Sequence, residues 1–290
     1  MKPELEKIEF EKSQQSFKYF KRTDEVFKSY WHYHPEYELT LIRNGEGTRF
    51  VGDSIANFSN YDLVLLGKNL PHNWVCVSCS GAQEAFVIQF NKDRFERFGE
   101  LKPFMDLLSR SQKGLHFFNP NEAIIEQIIS MEGLNPMGRL RAMIDLIDLL
   151  CSEQNVVELA SEQYLKRSVP TTSHNKIGQT TDYIIKHIHE PLSVQRLADY
   201  THMVPQSFCR WFKKNTGHSF VSFVQHTRIE IVCSALVSGN TPIQEIAFST
   251  GFESISHFNR VFRKLKGMSP RAYRAGYLNG KLEVSLVSQT

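Results

Sequence analysis

From Trp31 to Ile42 the chain alternates two kinds of side chain. Odd positions give Trp31, Tyr33, Tyr37, Leu39 and Leu41, and even positions give His32, His34, Glu36, Glu38 and Thr40. Side chains alternate along a strand, so the histidines and carboxylates share one face. Three readings fit that face: ligands to a Zn, Fe, Mn or Ni ion, the polar wall of a small-molecule pocket, or histidines satisfied by hydrogen bonds within the fold. Arg49 could supply a guanidinium to a ligand carboxylate or hydroxyl. Cys76-Val77-Ser78-Cys79 is a lone CxxC with no second pair at zinc-ligand spacing, and ordinary buried thiols explain it best.

A second set of residues occurs twice. Leu197-Ala198, Phe208, Arg210, Phe212, Lys214, Gly217 and Ser219 are followed by Ile246-Ala247, Phe258, Arg260, Phe262, Lys264, Gly267 and Ser269. Each copy has the parts of a helix-turn-helix. Ser193 caps a short helix carrying Val194, Leu197 and Ala198, and Pro205 opens a second helix whose Phe208, Trp211 and Phe212 face inward. In the other copy Pro242 precedes Ile243, Ile246 and Ala247, Gly251 makes the turn, Ser254 caps, and Phe258, Val261 and Phe262 form the buried stripe. Basic and polar residues are left for the outer face of each second helix, which is what a DNA major groove admits. Ser219 to Ser238 reads as one connecting helix, a rod of roughly 30 Å, close to the ~34 Å between successive major-groove faces.

The stretch from about 174 to 276 resembles the DNA-binding domain of the AraC/XylS family of bacterial transcription regulators. Phe212-Lys213-Lys214-Asn215-Thr216-Gly217, Ile243-Gln244-Glu245-Ile246-Ala247, Gly251-Phe252 and Ser269-Pro270-Arg271-Ala272-Tyr273-Arg274 carry the likeness. The resemblance implies that Gln206, Cys209 and Arg210, then Ile255, Ser256, His257 and Arg260, occupy base-reading positions. Lys213, Lys214, Arg263 and Lys264 would hold phosphates. Two residues depart from the family pattern: His202 where a turn glycine is usual, and Val204 in place of a capping Ser, Thr or Asp.

The other half resembles the cupin superfamily. His32-x-His34-x3-Glu38-x6-Gly45 is similar to its first motif, and Pro71-His72, after Asp62-Leu63-Val64-Leu65-Leu66, to its second. Trp31-His32-Tyr33-His34-Pro35-Glu36-Tyr37-Glu38-Leu39 also looks like the sensor domain of AraC-type regulators. The resemblance implies that His32, His34, Glu38 and His72 converge, either on a metal or, with Arg49, around an organic effector. Turn signals recur from Tyr30 to Phe90 with the rhythm of a barrel or jelly roll. Helical patterns follow at Asp93–Ser109, Asn121–Met131 and Pro136–Glu153; their stripes would pack on the barrel or seam two chains together.

Two domains are therefore expected: an all-β cupin-like barrel (jelly roll) with flanking helices over 1–155, and an all-α domain of two tandem helix-turn-helix motifs joined by a long helix over 174–276. A polar linker at 156–173 separates them, with a tail at 277–290. Charge divides the same way. Residues 174–275 hold 13 Lys/Arg against 6 Asp/Glu, and residues 1–173 hold 20 against 24, so the basic surplus lies where DNA binding is expected. Five cysteines, an odd number, argue against a disulfide framework. The N-terminus lacks a signal-peptide core, and no apolar run approaches the ~20 residues of a membrane span, so a cytoplasmic location with no membrane contact is expected.

These readings converge on a transcription regulator, not an enzyme, that binds promoter DNA and a small-molecule effector. RNA polymerase and a second copy of the chain are its expected partners. The alternative is a metal-dependent cupin enzyme carrying a DNA-binding module.

Overall fold

The structure is a computed structural model, and it describes residues 16–24, 31–78, 82–166, 174–237 and 239–278. Two antiparallel sheets form the N-terminal half. The larger has the order β1-β7-β2-β5-β8-β9 and the smaller β4-β3-β6. Their ranges are β1 Phe17–Asp24, β2 Tyr37–Arg43, β3 Glu46–Val51, β4 Ser54–Phe58, β5 Asp62–Leu66, β6 His72–Ser78, β7 Gln83–Phe90, β8 Leu115–Phe117 and β9 Val156–Glu158.

The alternation in β2 separates two cores. Leu39 and Leu41 point, with Leu63, Leu65, Phe86 and Ile88, into a layer covered by three helices: α1 Lys102–Arg110, α2 Glu122–Ser130 and α3 Pro136–Ser152. Ile42, Val64, Leu66 and Val87 meet Val51, Phe58 and Trp74 of the smaller sheet. Glu38 and Thr40 lie on this second, inner face, buried in spite of their polarity.

Three expectations need correction. The strand foreseen from Trp31 begins only at Tyr37; His32 makes a single bridge to His72 instead. The helix foreseen from Asp93 starts at Lys102, because short 3-10 turns and Gly99 occupy the approach and Pro103 fits only the first turn. Residues 156–165, read as linker, are structured: β9 pairs with β8, and α4 Glu162–Leu165 buries Tyr164. The segment's polarity misled because β9 is a short edge strand. Residues 167–173 and the Cys79 half of the CxxC lie outside the described residues.

The C-terminal half is helical: α5 His174–Lys186, α6 Val194–Tyr200, α7 Pro205–Thr216, α8 Phe220–Val237, α9 Ile243–Ser249, α10 Ile255–Lys266 and α11 Pro270–Leu278. The connector α8 has 18 residues, about 27 Å of rod. Ile231 and Ala235 are only partly covered, whereas Ile229, Val232 and Cys233 are fully buried. Its first half packs under α5–α7 and the smaller sheet, its second under α9–α11, so different faces are covered in turn. Burial on several faces in turn suits its apolar composition: at mean hydropathy 1.2 it is long and apolar enough to pass for a membrane span by length and composition alone, yet 56% of it is buried inside the fold, as in a core helix.

Candidate DNA-binding surface and barrel centre

The two helix-turn-helix copies match at the level of single hydrogen bonds. Thr201 Oγ1 donates to the Leu197 carbonyl and Thr250 Oγ1 to that of Ile246; the Met203 amide donates to Ala198 and the Phe252 amide to Ala247. Both turns need a left-handed residue. His202 adopts φ 53° and Gly251 φ 91°. A β-carbon at Gly251 would lie 2.8 Å from Arg228 Nη2, so any other residue there would also have to displace that guanidinium. The caps differ as the sequence foretold: Ser254 Oγ accepts from the His257 amide at 3.2 Å, while Val204 makes no side-chain cap.

Phe208 and Phe212 in α7 and Phe258 and Phe262 in α10 are fully buried, which fixes what each helix turns outward. Gln206, Cys209, Arg210, Lys213 and Lys214 are all exposed, as are Ser256, Arg260, Arg263 and Lys264. Ile255 is partly buried against the second unit's core. His257 is half-buried, its Nε2 accepting from Gln225 of α8 at 3.3 Å, so only its other face is open. Lys266 resembles its basic neighbours in sequence, yet it is buried and paired with Glu230 of α8 at 2.6 Å. No sequence signal distinguishes it, since pairing across 36 positions leaves no periodic trace.

In the barrel, His32, His34, Glu38 and His72 come together, one ligand-capable atom of each lying within 4.8 Å of the others. The bridge between His32 and His72 sets two of them, and β2 presents Glu38. His34 Nδ1 donates to the Glu36 carbonyl at 3.2 Å and His72 Nδ1 to that of Leu70 at 2.8 Å. Because a carbonyl only accepts, each Nε2 faces Glu38 with a proton when its ring is charged and with a lone pair when the ring is neutral. His34 Nε2 stands 2.9 Å from Glu38 Oε2; His72 Nε2, buried without a hydrogen bond, is 3.6 Å from Oε1. Thr40 and Gln89 donate to the same carboxylate at 2.6 and 2.8 Å. Burial would raise the Glu38 carboxyl, but His34 and His72 hold it well below the usual carboxylate range.

That donor set fits a divalent cation. Backbone carbonyls fix the imidazole tautomers and second residues orient the carboxylate, the usual outer shell of a metal-ligating histidine. His32, His34, Glu38 and His72 would hold the ion, and a bound ion of this kind would polarise an oxygen ligand.

Arg49 does not stand open to a ligand. Its guanidinium is 3% exposed and pairs with Asp62, which also accepts from Trp74 Nε1 at 2.8 Å and lies 3.1 Å from His116 Nε2. Burial would raise the Asp62 carboxyl, but Arg49, then His116 and Trp74, hold it below its ordinary value. The expectation that Arg49 takes an effector carboxylate is corrected: the buried Asp62 needs that charge, a partner the sequence did not reveal.

Comparison with known proteins places the C-terminal half. Residues 197–276 match a family described as a helix-turn-helix domain. The chain is 34% identical over 112 residues to the uncharacterised transcriptional regulator YobQ of Bacillus subtilis, covering 39% of this chain and 45% of YobQ. It is 31% identical over 133 residues to a transcriptional regulator of Staphylococcus aureus, covering 43% of this chain but 18% of the other. The match thus spans less than half the length of these relatives. Similar solved structures include the DNA-binding domain of AdpA in complex with a target DNA (27% identity, TM-score 0.35, 37% of this chain and 96% of that one). Another is ToxT of Vibrio cholerae bound to (E)-4-(8-methylnaphthalen-1-yl)but-3-enoic acid (17% identity, TM-score 0.37, 90% and 99%). The matched domain and relatives are transcriptional regulators rather than enzymes. With its turns duplicated bond for bond, the stretch 197–276 of this chain carries a helix-turn-helix domain.

Proposed function

We propose that the protein is a transcription regulator that lays α7 and α10 into successive major grooves of promoter DNA and answers to a small molecule held by its barrel. One observation carries the reading: both helices bury their phenylalanine pair and turn a basic, polar face outward, Arg210, Lys213 and Lys214 on one and Arg260, Arg263 and Lys264 on the other. Arg210 and Arg260 read base edges, guanine above all, with Gln206, Cys209, Ile255, Ser256 and His257 beside them; the lysines and Arg263 hold phosphates. The test is binding of the whole protein to duplexes selected from a random pool. Two half-sites about one duplex turn apart are expected among the selected sequences. A pool that emerges with no shared sequence overturns the reading.

The effector site centres on His32, His34, Glu38 and His72. A resident ion is a second reading of the same site, favoured by the buried Nε2 of His72, which lacks a hydrogen bond. Metal analysis of protein purified without chelators separates the two. A dimer is part of the proposal: Met137, Leu140 and Ile144 form an exposed stripe on α3, at the spacing of a helix seam. RNA polymerase is the remaining partner proposed, and its recruitment would show as promoter-dependent transcription with purified components.

A further inference from the structure

His257 stands at the third position of α10, its backbone fixed by the Ser254 hydroxyl, which accepts from its amide at 3.2 Å. Its side chain is half-buried. The Phe252 ring meets it edge-on with centroids 6.0 Å apart, and Nε2 of Gln225, on the connector α8, approaches the imidazole Nε2 at 3.3 Å. The other ring nitrogen, Nδ1, has no hydrogen-bond partner among the described residues.

That contact decides where the ring carries its proton. An amide nitrogen only donates, so the Nε2 it meets accepts through a lone pair, and the proton of the neutral ring sits on Nδ1. The first copy has no such arrangement. There Ser207, just before Phe208 as His257 is just before Phe258, occupies the matching place. The device belongs to the second reading helix alone.

A ring nitrogen of fixed protonation reads a base edge in one sense only. In the major groove guanine presents two acceptors, O6 and N7, whereas cytosine presents the N4 amino donor. An Nδ1–H finds a partner on guanine and meets another N–H on cytosine; a bare Nδ1 would reverse the choice. We propose that Gln225, placed on the connector rather than on a reading helix, is a positioning residue for base recognition. It fixes His257 as a hydrogen-bond donor, and so makes α10 prefer guanine to cytosine at the base pair that His257 faces. The base preference rests on the regulator reading; the tautomer does not.

The tautomer is read first, without DNA, from two-bond proton–nitrogen spectra of the whole isotopically labelled protein at a pH where the His257 ring is neutral. His257→Ala identifies the signals. The expected pattern has Nδ1 protonated and Nε2 bare. Gln225→Leu, which keeps the bulk and removes the donor, should give a mixture of the two forms. Gln225→Lys, whose ammonium only donates, should keep the original pattern. The same proteins are then titrated with a selected duplex carrying each base in turn. One base pair should lose its preference in His257→Ala. At that pair the unaltered protein should bind guanine roughly ten-fold over cytosine. Gln225→Leu should bring the two close to parity, and Gln225→Lys should restore most of the ratio.

A Gln225 that serves packing alone would change affinity for every duplex alike and leave ratio and tautomer unmoved, which overturns the inference. An unaltered protein with Nε2 protonated overturns it too, as does a His257→Ala whose loss falls on no one base pair. Because the spectra need no DNA, the two readings fail separately. The wrong tautomer in a protein that still selects a shared sequence strikes out this inference alone. A pool with no shared sequence strikes out the regulator reading, and the base preference with it, while the spectra still show which nitrogen Gln225 has set.

Discussion

Arg263, Lys264 and Lys266 look interchangeable in the sequence, and their surroundings give them different work. Arg263 and Lys264 face solvent. Burial would push the Lys266 ammonium down, but Glu230 holds it above the ordinary lysine value. Lys266→Met alone should leave Glu230 charged and unpaired in the core, at a loss of roughly 3–5 kcal/mol. The double change Lys266→Met with Glu230→Leu should recover most of that in denaturant unfolding. If the double variant is as unstable as the single, the pair is not what the site depends on. Lys264→Ala should leave stability within about 0.5 kcal/mol. On DNA, Arg260→Ala should cost about 1–3 kcal/mol and relax preference at one base pair, whereas Lys213→Ala should weaken all sequences alike and lower the salt slope by about one. Base-substituted duplexes measured at several salt concentrations separate those outcomes.

Among the elements, the first reading helix is the less well secured. α10 has the Ser254 cap, whereas α7 begins at Val204 with no side-chain cap. Val204→Ser should therefore stabilise the protein by about 1 kcal/mol, read as a raised thermal midpoint. A midpoint that stays put or falls would mean that the exposed valine contributes something a cap does not replace. Gly251→Ala should do the reverse, because alanine meets both a left-handed φ and the Arg228 guanidinium. That guanidinium is held in place, its Nε and Nη2 donating to the Ile188 and Glu190 carbonyls at 2.9 and 2.7 Å. These bonds tie the segment that follows α5 to α8 beside the second turn.

At the scale of the whole molecule, the barrel grips the helical half through α8 and the end of α7. Phe50 stacks on Phe223 with ring centroids 5.8 Å apart, His218 Nε2 donates to the Asp53 carbonyl at 2.6 Å, and the Tyr164 hydroxyl donates to the Asn215 carbonyl at 3.4 Å. His226 lies in this seam. Burial, with the His218 ring and the Lys266 and Lys264 ammonium groups, pushes it down to about 4. An unfolded chain protonates it near its ordinary value of ~6.5. Between those values the unfolded state binds more protons, so stability falls as pH is lowered through the window. His226→Gln should flatten that slope by up to one proton in unfolding curves taken across the range. An unchanged slope would assign the pH dependence to other groups.

Residue order alone determined the duplicated half almost completely. Its signals are local: phenylalanines at helical spacing, a left-handed turn residue and a cap recur in each copy, and those few residues fix which face turns outward. It also grouped His32, His34 and Glu38, which the structure brings together, although only Glu38 lies on the strand whose alternation was read. Folding in three dimensions decided the rest. That Arg49 serves Asp62, that Lys266 serves Glu230, that Gln225 meets His257 and that residues 156–165 close the larger sheet all depend on partners far apart in the chain. A charged or amide side chain reads the same whether it meets water or a buried partner, and only the packed structure shows which it has.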